Sequence, residues 1–420
     1  MKFYIFILIL FLGSGFAQAQ DKQADGKDKE KNVYKKKSVV KEVKALYKAA
    51  NFAKADETIR NAFKKYPEAN NDPDLLGSEV NIQYQLYLAE NRKLFLDTKG
   101  DTAKFFGYIY NTYDYGLKCD SVCRIPDKKG KTNNRYTSVI NNYLSSLRGN
   151  LKSGALFFMK KQSYRDAFRF FDMYIGTMNN PLAFKNKSGV VVADSDSVRI
   201  YQMALHAAYG AEKFQDVLRY YDVAVSDSSR RELVMEMGAK SAIQIPDSNM
   251  YLSIMESAFD EFPSNEFFSA GLIKLYHESR QFDKTMDVID KCISLDSLNV
   301  KYWKLKGNEF YDVDSVKQAT DAYEHVVAID STDLEAYLRL GRIYIANARD
   351  FYENADLSLT SPDVTKNKER LDALYTDVMV CFERVRALSP NIPALWKSPL
   401  LEAYYRLNKG KELKELEKVR

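Results

Sequence analysis

Cys119 and Cys123 stand four apart, with Pro126 beyond them, and export would make a disulfide between them chemically possible. An unwound last helical turn before Pro126 would bring their sulfurs together as a disulfide; otherwise they are two separate thiols. A metal at this C-x3-C would lack two further ligands. Cys292 and Cys381 fall on packing faces and read as small core residues. His206, His277 and His325 stand apart from one another, which leaves little room for a histidine metal site. Paired carboxylates such as Asp260-Glu261 sit among other surface charges and read as a solvated face rather than an acid/base pair. There is no P-loop, dinucleotide-binding glycine run, G-x-S-x-G elbow or H-E-x-x-H. The expectation is a non-enzymatic chain with no cofactor and no metal. One polar row does recur: His206, Lys240, Lys274, Asn308 and Arg342 lie 34 positions apart, with no carboxylate among them. Such a row can hold an acidic peptide or a terminal carboxylate by charge-assisted hydrogen bonds, or it can be an ordinary wetted face. Tyr209, His277 and Tyr311 lie nearby, to stack on a ligand or simply to pack.

The elements that must position these residues are helical. The chain has 420 residues, 45% of them hydrophobic, and only ten prolines, which suits long helices with a sizeable core. Sixty-two Lys and Arg against 57 Asp and Glu leave +5, which argues against nucleic acid as the main partner. Residues 1–19 combine Lys2, the apolar run Phe3 to Leu12 and the A-x-A site Ala17-Gln18-Ala19, the pattern of a signal peptide. The rival reading is a retained membrane anchor. With cleavage the mature chain starts near Gln20, has no transmembrane segment and, lacking a cysteine at the cleavage site, is not lipid-anchored. Residues 20–38 are charge-mixed and poor in apolar groups, and read as a flexible linker. Its Lys35-Lys36-Lys37 would either touch anionic lipid or merely solubilise the leader.

From 198 to 344 the sequence repeats every 34 residues. One column is Leu205, Ala239, Ile273, Gly307 and Gly341; another is Ala208, Ala242, Tyr276, Phe310 and Tyr344. Two more are Tyr221, Met255, Ile289, Tyr323 and Ala224, Ala258, Cys292, Val326. A last column, Ser229, Pro263, Ser297 and Ser331, supplies stops and caps. The columns form two clusters at helical spacing, parted by short polar breaks such as Ser279-Arg280-Gln281, so each unit reads as helix–turn–helix. Small residues fall where helices approach closely, and aromatics such as Trp303 and Tyr337 fill the gaps.

These residues resemble the tetratricopeptide repeat family, with Trp303, Gly307, Phe310, Ala319 and Tyr323, then Tyr337, Gly341 and Tyr344, at its signature places. Phe52, Ala55, Ile59, Ala62 and Pro67, with Val43 and Leu46, fit an earlier unit, as do Ala155, Phe158, Tyr164, Ala167 and Phe171. Val217, Tyr251 and Thr285 depart from a column the family usually fills with Ala. The resemblance implies an all-α, right-handed superhelical solenoid of about nine helix–turn–helix pairs. It divides the chain into partly irregular repeats at 39–180, an insertion loop at 181–197, a C-terminal array at 198–391 with extended helices from 334, and capping helices at 392–420. Within these, a helix near 75–97, an aromatic one near 101–118 and a last one near Leu400 to Val419 are expected.

In this family the first helix of each pair lines the concave surface, which would turn the polar row inward. Lys304 and Asn308 match the first part of the carboxylate clamp of chaperone-binding members, but Arg339 stands where Asn is expected next. With the signal peptide, the resemblance makes the expected function that of an exported scaffold or adaptor that holds a protein or peptide partner, which the polar row and the clamp match would make acidic or give a free C-terminal carboxylate. Its place would be the periplasm or the outer membrane, in envelope assembly or secretion. The alternative is a carbohydrate-binding, outer-membrane-associated protein, since 29 Tyr and 24 Phe could supply sugar platforms.

Overall fold

A computed structural model describes residues 35–184, 197–245 and 248–418. The expected signal peptide, most of the expected linker and residues 185–196 of the expected insertion lie outside them. The described residues form eighteen α-helices, α1 (Lys36–Lys48) to α18 (Gly410–Glu417), four short 3-10 turns and no strand. Taken in order they make nine pairs. Two compact units divide the chain. Unit 1 holds α1, α2 (Phe52–Lys65), α3 (Pro73–Phe95), α4 (Thr102–Cys123) and the first part of α5 (Thr137–Lys160). Unit 2 holds the rest of α5, α6 (Tyr164–Gly176) and every later helix.

The repeat columns are packing positions. Leu205, Ala239, Ala224, Ala258, Met255, Ile289 and Val326 are fully buried. Gly307 and Gly341 mark close approach: a Cβ on Gly341 would stand 2.7 Å from the Phe382 ring, and one on Gly307 2.9 Å from that of Tyr323.

Six pairs are closed by the same three-residue turn. Its middle residue is left-handed and never glycine: Ala50, Gln162, Glu212, Arg280, Asp314 and Asn408, with φ between 54° and 60°. In each turn the next amide reaches back five residues, as Gln281 N does to the Tyr276 carbonyl at 2.8 Å and Lys213 N to Ala208 at 2.9 Å. This is the Schellman closure, which satisfies helix-end carbonyls and reverses the chain in three residues.

The remaining three pairs carry longer joints. In one of them α15 (Leu334–Asn354) and α16 (Val364–Leu388) pack as the extended hairpin. Asn141 anchors the start of the expected insertion, donating to the carbonyls of Pro181, Leu182 and Phe184 at 3.0–3.2 Å.

Two boundaries differ from expectation. The first helix begins at Lys36, inside the stretch read as linker, because Lys36 pairs with Asp72 at 2.9 Å and Asp74 at 3.0 Å. The single last helix is two, α17 (Lys397–Arg406) and α18, broken by the left-handed Asn408.

Candidate functional site

The polar row occupies the first helices of five consecutive pairs in unit 2: α7 (Ser197–Gly210), α9 (Arg231–Ala242), α11 (Glu266–Glu278), α13 (Val300–Asp312) and α15. Each row residue directly follows a column residue, Leu205, Ala239, Ile273, Gly307 or Gly341, that is itself buried. Packing of the column therefore sets one polar side chain on each first helix.

The five side chains are not alike. His206 is half-buried beside the Tyr164 ring, 5.9 Å between centroids. Burial, then the charge of Arg230, lowers its pKa, so it is neutral at pH 7. Lys240 pairs with Glu236 one turn back and lies over the Phe267 ring at 4.9 Å. Lys274 is 76% exposed and reaches Glu278 only at 3.9 Å. Asn308 Oδ1 accepts the hydroxyl of buried Tyr323 at 2.5 Å, which leaves its amide nitrogen as the group to offer a carboxylate. Arg342 is exposed.

Lys304, the other half of the clamp resemblance, faces two carboxylates, Asp333 at 3.0 Å and Glu335 at 3.2 Å. Burial alone would lower its pKa, but these two hydrogen bonds outweigh it and raise the pKa, so the ammonium is firmly charged and already matched. Glu309, buried between α11 and α13, meets His277 Nδ1 at 2.7 Å. The sequence column holds no carboxylate, yet the folded face places Glu236, Glu278, Glu309, Asp333 and Glu335 beside it. Two of these stand four residues from their lysines, a spacing the sequence displays. Of the nearby rings, Tyr311 is 45% exposed, while Tyr209 packs edge-on against Phe214.

The cysteine bridge is not formed. Cys119 and Cys123 are buried free thiols with sulfurs 4.0 Å apart, because α4 stays helical through Cys123 and its last turn does not unwind. Burial is the main cause of the raised pKa of both, which disfavours thiolate chemistry. Cys292 and Cys381 are buried core residues. Among the described residues no group of His, Cys, Asp or Glu could hold a metal ion, and no helix is long and apolar enough to cross a membrane.

The described helices are tetratricopeptide-like pairs. Solved structures to which the chain is similar are tetratricopeptide repeat proteins. One from Bacteroides fragilis is 16% identical, with 61% of this chain and 98% of that chain covered and a TM-score of 0.28. The C-terminal part of one from Cytophaga hutchinsonii is 13% identical over 63% and 98%, TM-score 0.34. One from Parabacteroides merdae is 11% identical over 61% and 99%, TM-score 0.33. No protein-family model matches the chain. No curated protein matches it in sequence.

Proposed function

We propose that this chain is an exported, non-enzymatic scaffold that holds a protein or peptide partner against its first helices, in the periplasm or at the outer membrane, without a lipid anchor. The observation that carries the reading is the row itself: buried column residues present one polar side chain per pair, on five successive first helices. A periodic face of that kind suits a polymer with its own repeat, and a polypeptide has one. Side chains fixed by packing lose little entropy on binding. The carboxylates beside Lys240 and Lys274 do not block this use. Exposed ion pairs are worth about 0–1 kcal/mol, so an incoming carboxylate exchanges with them at little cost. Lys304 is less available, since Asp333 is itself largely buried. Arg342, Lys274 and the Asn308 amide are the stronger contributors.

Photo-crosslinkers at Lys274 and Arg342, activated in the intact cell envelope, test the reading. A discrete polypeptide joined at both positions is the expected result. Glycan-array binding with no crosslinked polypeptide would instead establish the carbohydrate alternative. Lys274→Glu with Arg342→Glu should weaken capture by about tenfold or more with unchanged thermal stability, because both side chains are exposed. Intact mass of exported protein beginning near Gln20 checks the export step.

A further inference from the structure

Unit 1 carries a stronger charge feature than the row. Lys37, Lys41, Lys44 and Lys48 follow one another at i, i+4, i+7 and i+11, and so form one stripe along α1. All four are exposed, and among the described residues the ion pairs of α1 are those of Lys36, with none at these four. They line a cavity of about 560 Å³ together with Lys36 and Val40. Lys44 and Lys48 also line an adjoining cavity of about 320 Å³ against α3, where Tyr47, Ser78 and Asn81 complete the wall. One carboxylate enters the larger cavity, Asp74, and it is already matched. Lys36 holds it at 3.0 Å, Arg135 at 3.3 Å and the Tyr136 hydroxyl at 2.9 Å. Among the described residues the larger cavity therefore keeps four unpaired lysines beside Val40 and Ala45, and the adjoining one adds the Ser78 hydroxyl and the Asn81 amide.

We infer that this stripe docks an acidic segment of polypeptide in extended conformation, and that it is the part of the scaffold that selects partner charge. The inference rests on the polypeptide-binding reading and narrows it. The four lysines span about 16 Å of helix, the length of about five extended residues, which point three alternate side chains to one edge. Alternating carboxylates would meet the lysines while the intervening side chains meet Val40 and Tyr47. A lipid surface fits less well. The site is concave, and the apolar side of α1 (Val39, Val40, Val43, Leu46 and Tyr47) packs within unit 1, so Val40 and Tyr47 offer an incoming chain only their half-buried edges and none of these side chains projects to insert in a bilayer.

The test uses the full chain and a short, end-blocked, fluorescent peptide alternating Asp and Val, read by anisotropy. Saturable binding that weakens steeply with salt is expected. Lys41→Glu with Lys44→Glu should weaken it about tenfold or more, and Lys41→Gln with Lys44→Gln by less. Lys366→Glu with Lys368→Glu, exposed on α16 and outside both lysine features, should leave it unchanged. A matching Asn and Val peptide that binds equally well overturns the inference, as does charge reversal without effect. Co-sedimentation with phosphatidylserine vesicles through the same lysines, stronger than peptide binding, would assign the stripe to lipid instead. If the Asp peptide fails while Lys274 and Arg342 still crosslink a polypeptide, this inference falls and the scaffold reading stands.

Discussion

Glu79 lies fully buried on α3, beside Asp56 of α2. Gln83 Nε2 donates to both carboxyls, at 2.7 Å to Glu79 and 2.9 Å to Asp56, and Arg60 Nε reaches Asp56 at 2.6 Å. Burial first, and the Asp56 carboxylate next, hold the Glu79 pKa well above its ordinary value, so Glu79 holds its proton more tightly than a free carboxyl. The sign of the linkage follows. Unfolded Glu79 releases its proton near 4.5, while the folded carboxyl retains it. The stabilisation is complete below that pH and is lost as pH rises toward the raised folded value. Glu79→Gln removes this titration. Urea unfolding from about pH 5 to 8 should show the native chain losing up to about 1.4 kcal/mol per pH unit relative to the variant. Parallel profiles would refute the retained proton. Sequence reading passed over this knot, since Glu79 and Gln83 look like surface residues until α2 and α4 cover them. Their only signal was the i, i+4 placement of two polar groups among Leu75, Leu76, Val80 and Ile82. The polar row was visible as a column of types, but its carboxylate neighbours were not. Asp333 and Glu335 reach Lys304 only because α15 packs against the preceding pair.

The recurring turn sets the geometry of each element pair. A left-handed conformation costs a residue with a Cβ about 1–2 kcal/mol, and glycine escapes that cost while losing some unfolded-state entropy. Arg280→Gly and Glu212→Gly should therefore each stabilise unit 2 by about 0.5–1 kcal/mol in urea unfolding. A loss of stability would mean that the side chains at these positions hold the turn. Glycine has the opposite role at the column. Gly341→Ala pushes a methyl to 2.7 Å from the buried Phe382 ring and should cost about 1–3 kcal/mol. These helices were legible because apolar period, small residues and polar breaks agree. The break at Asn408 was passed over: Asn408 and Gly410 are residues that suit a left-handed reversal, but the charges of Lys409, Lys411 and Glu412 continue the helical pattern across them. The Lys37 to Lys48 stripe had a clear helical spacing, but it was hidden by counting Lys35-Lys36-Lys37 with the leader.

At the scale of the molecule, the last described helices share one core with α16. Trp396, Leu400, Ala403, Tyr404 and Leu416 of the final turns and helices pack with Tyr375, Val378, Phe382 and Val385 of α16 in one core. The outer side of α18 carries Lys411, Lys414 and Glu415 to solvent. A chain ending at Pro390 would bare that apolar face, and should aggregate in size-exclusion chromatography where the full chain runs as a discrete species. Adding exposed charges to α18 should not have this effect. The central claim is that partners are held by first helices through packing-fixed side chains. Hydrogen–deuterium exchange of the full chain, with and without the polypeptide captured at Lys274 and Arg342, tests it most directly. Slowed exchange on α9, α11, α13 and α15, with α12 (Phe282–Leu295), α14 (Val316–Ile329) and α16 unchanged, is the predicted result. Slowed exchange on those second helices, with the first helices unaffected, would contradict it.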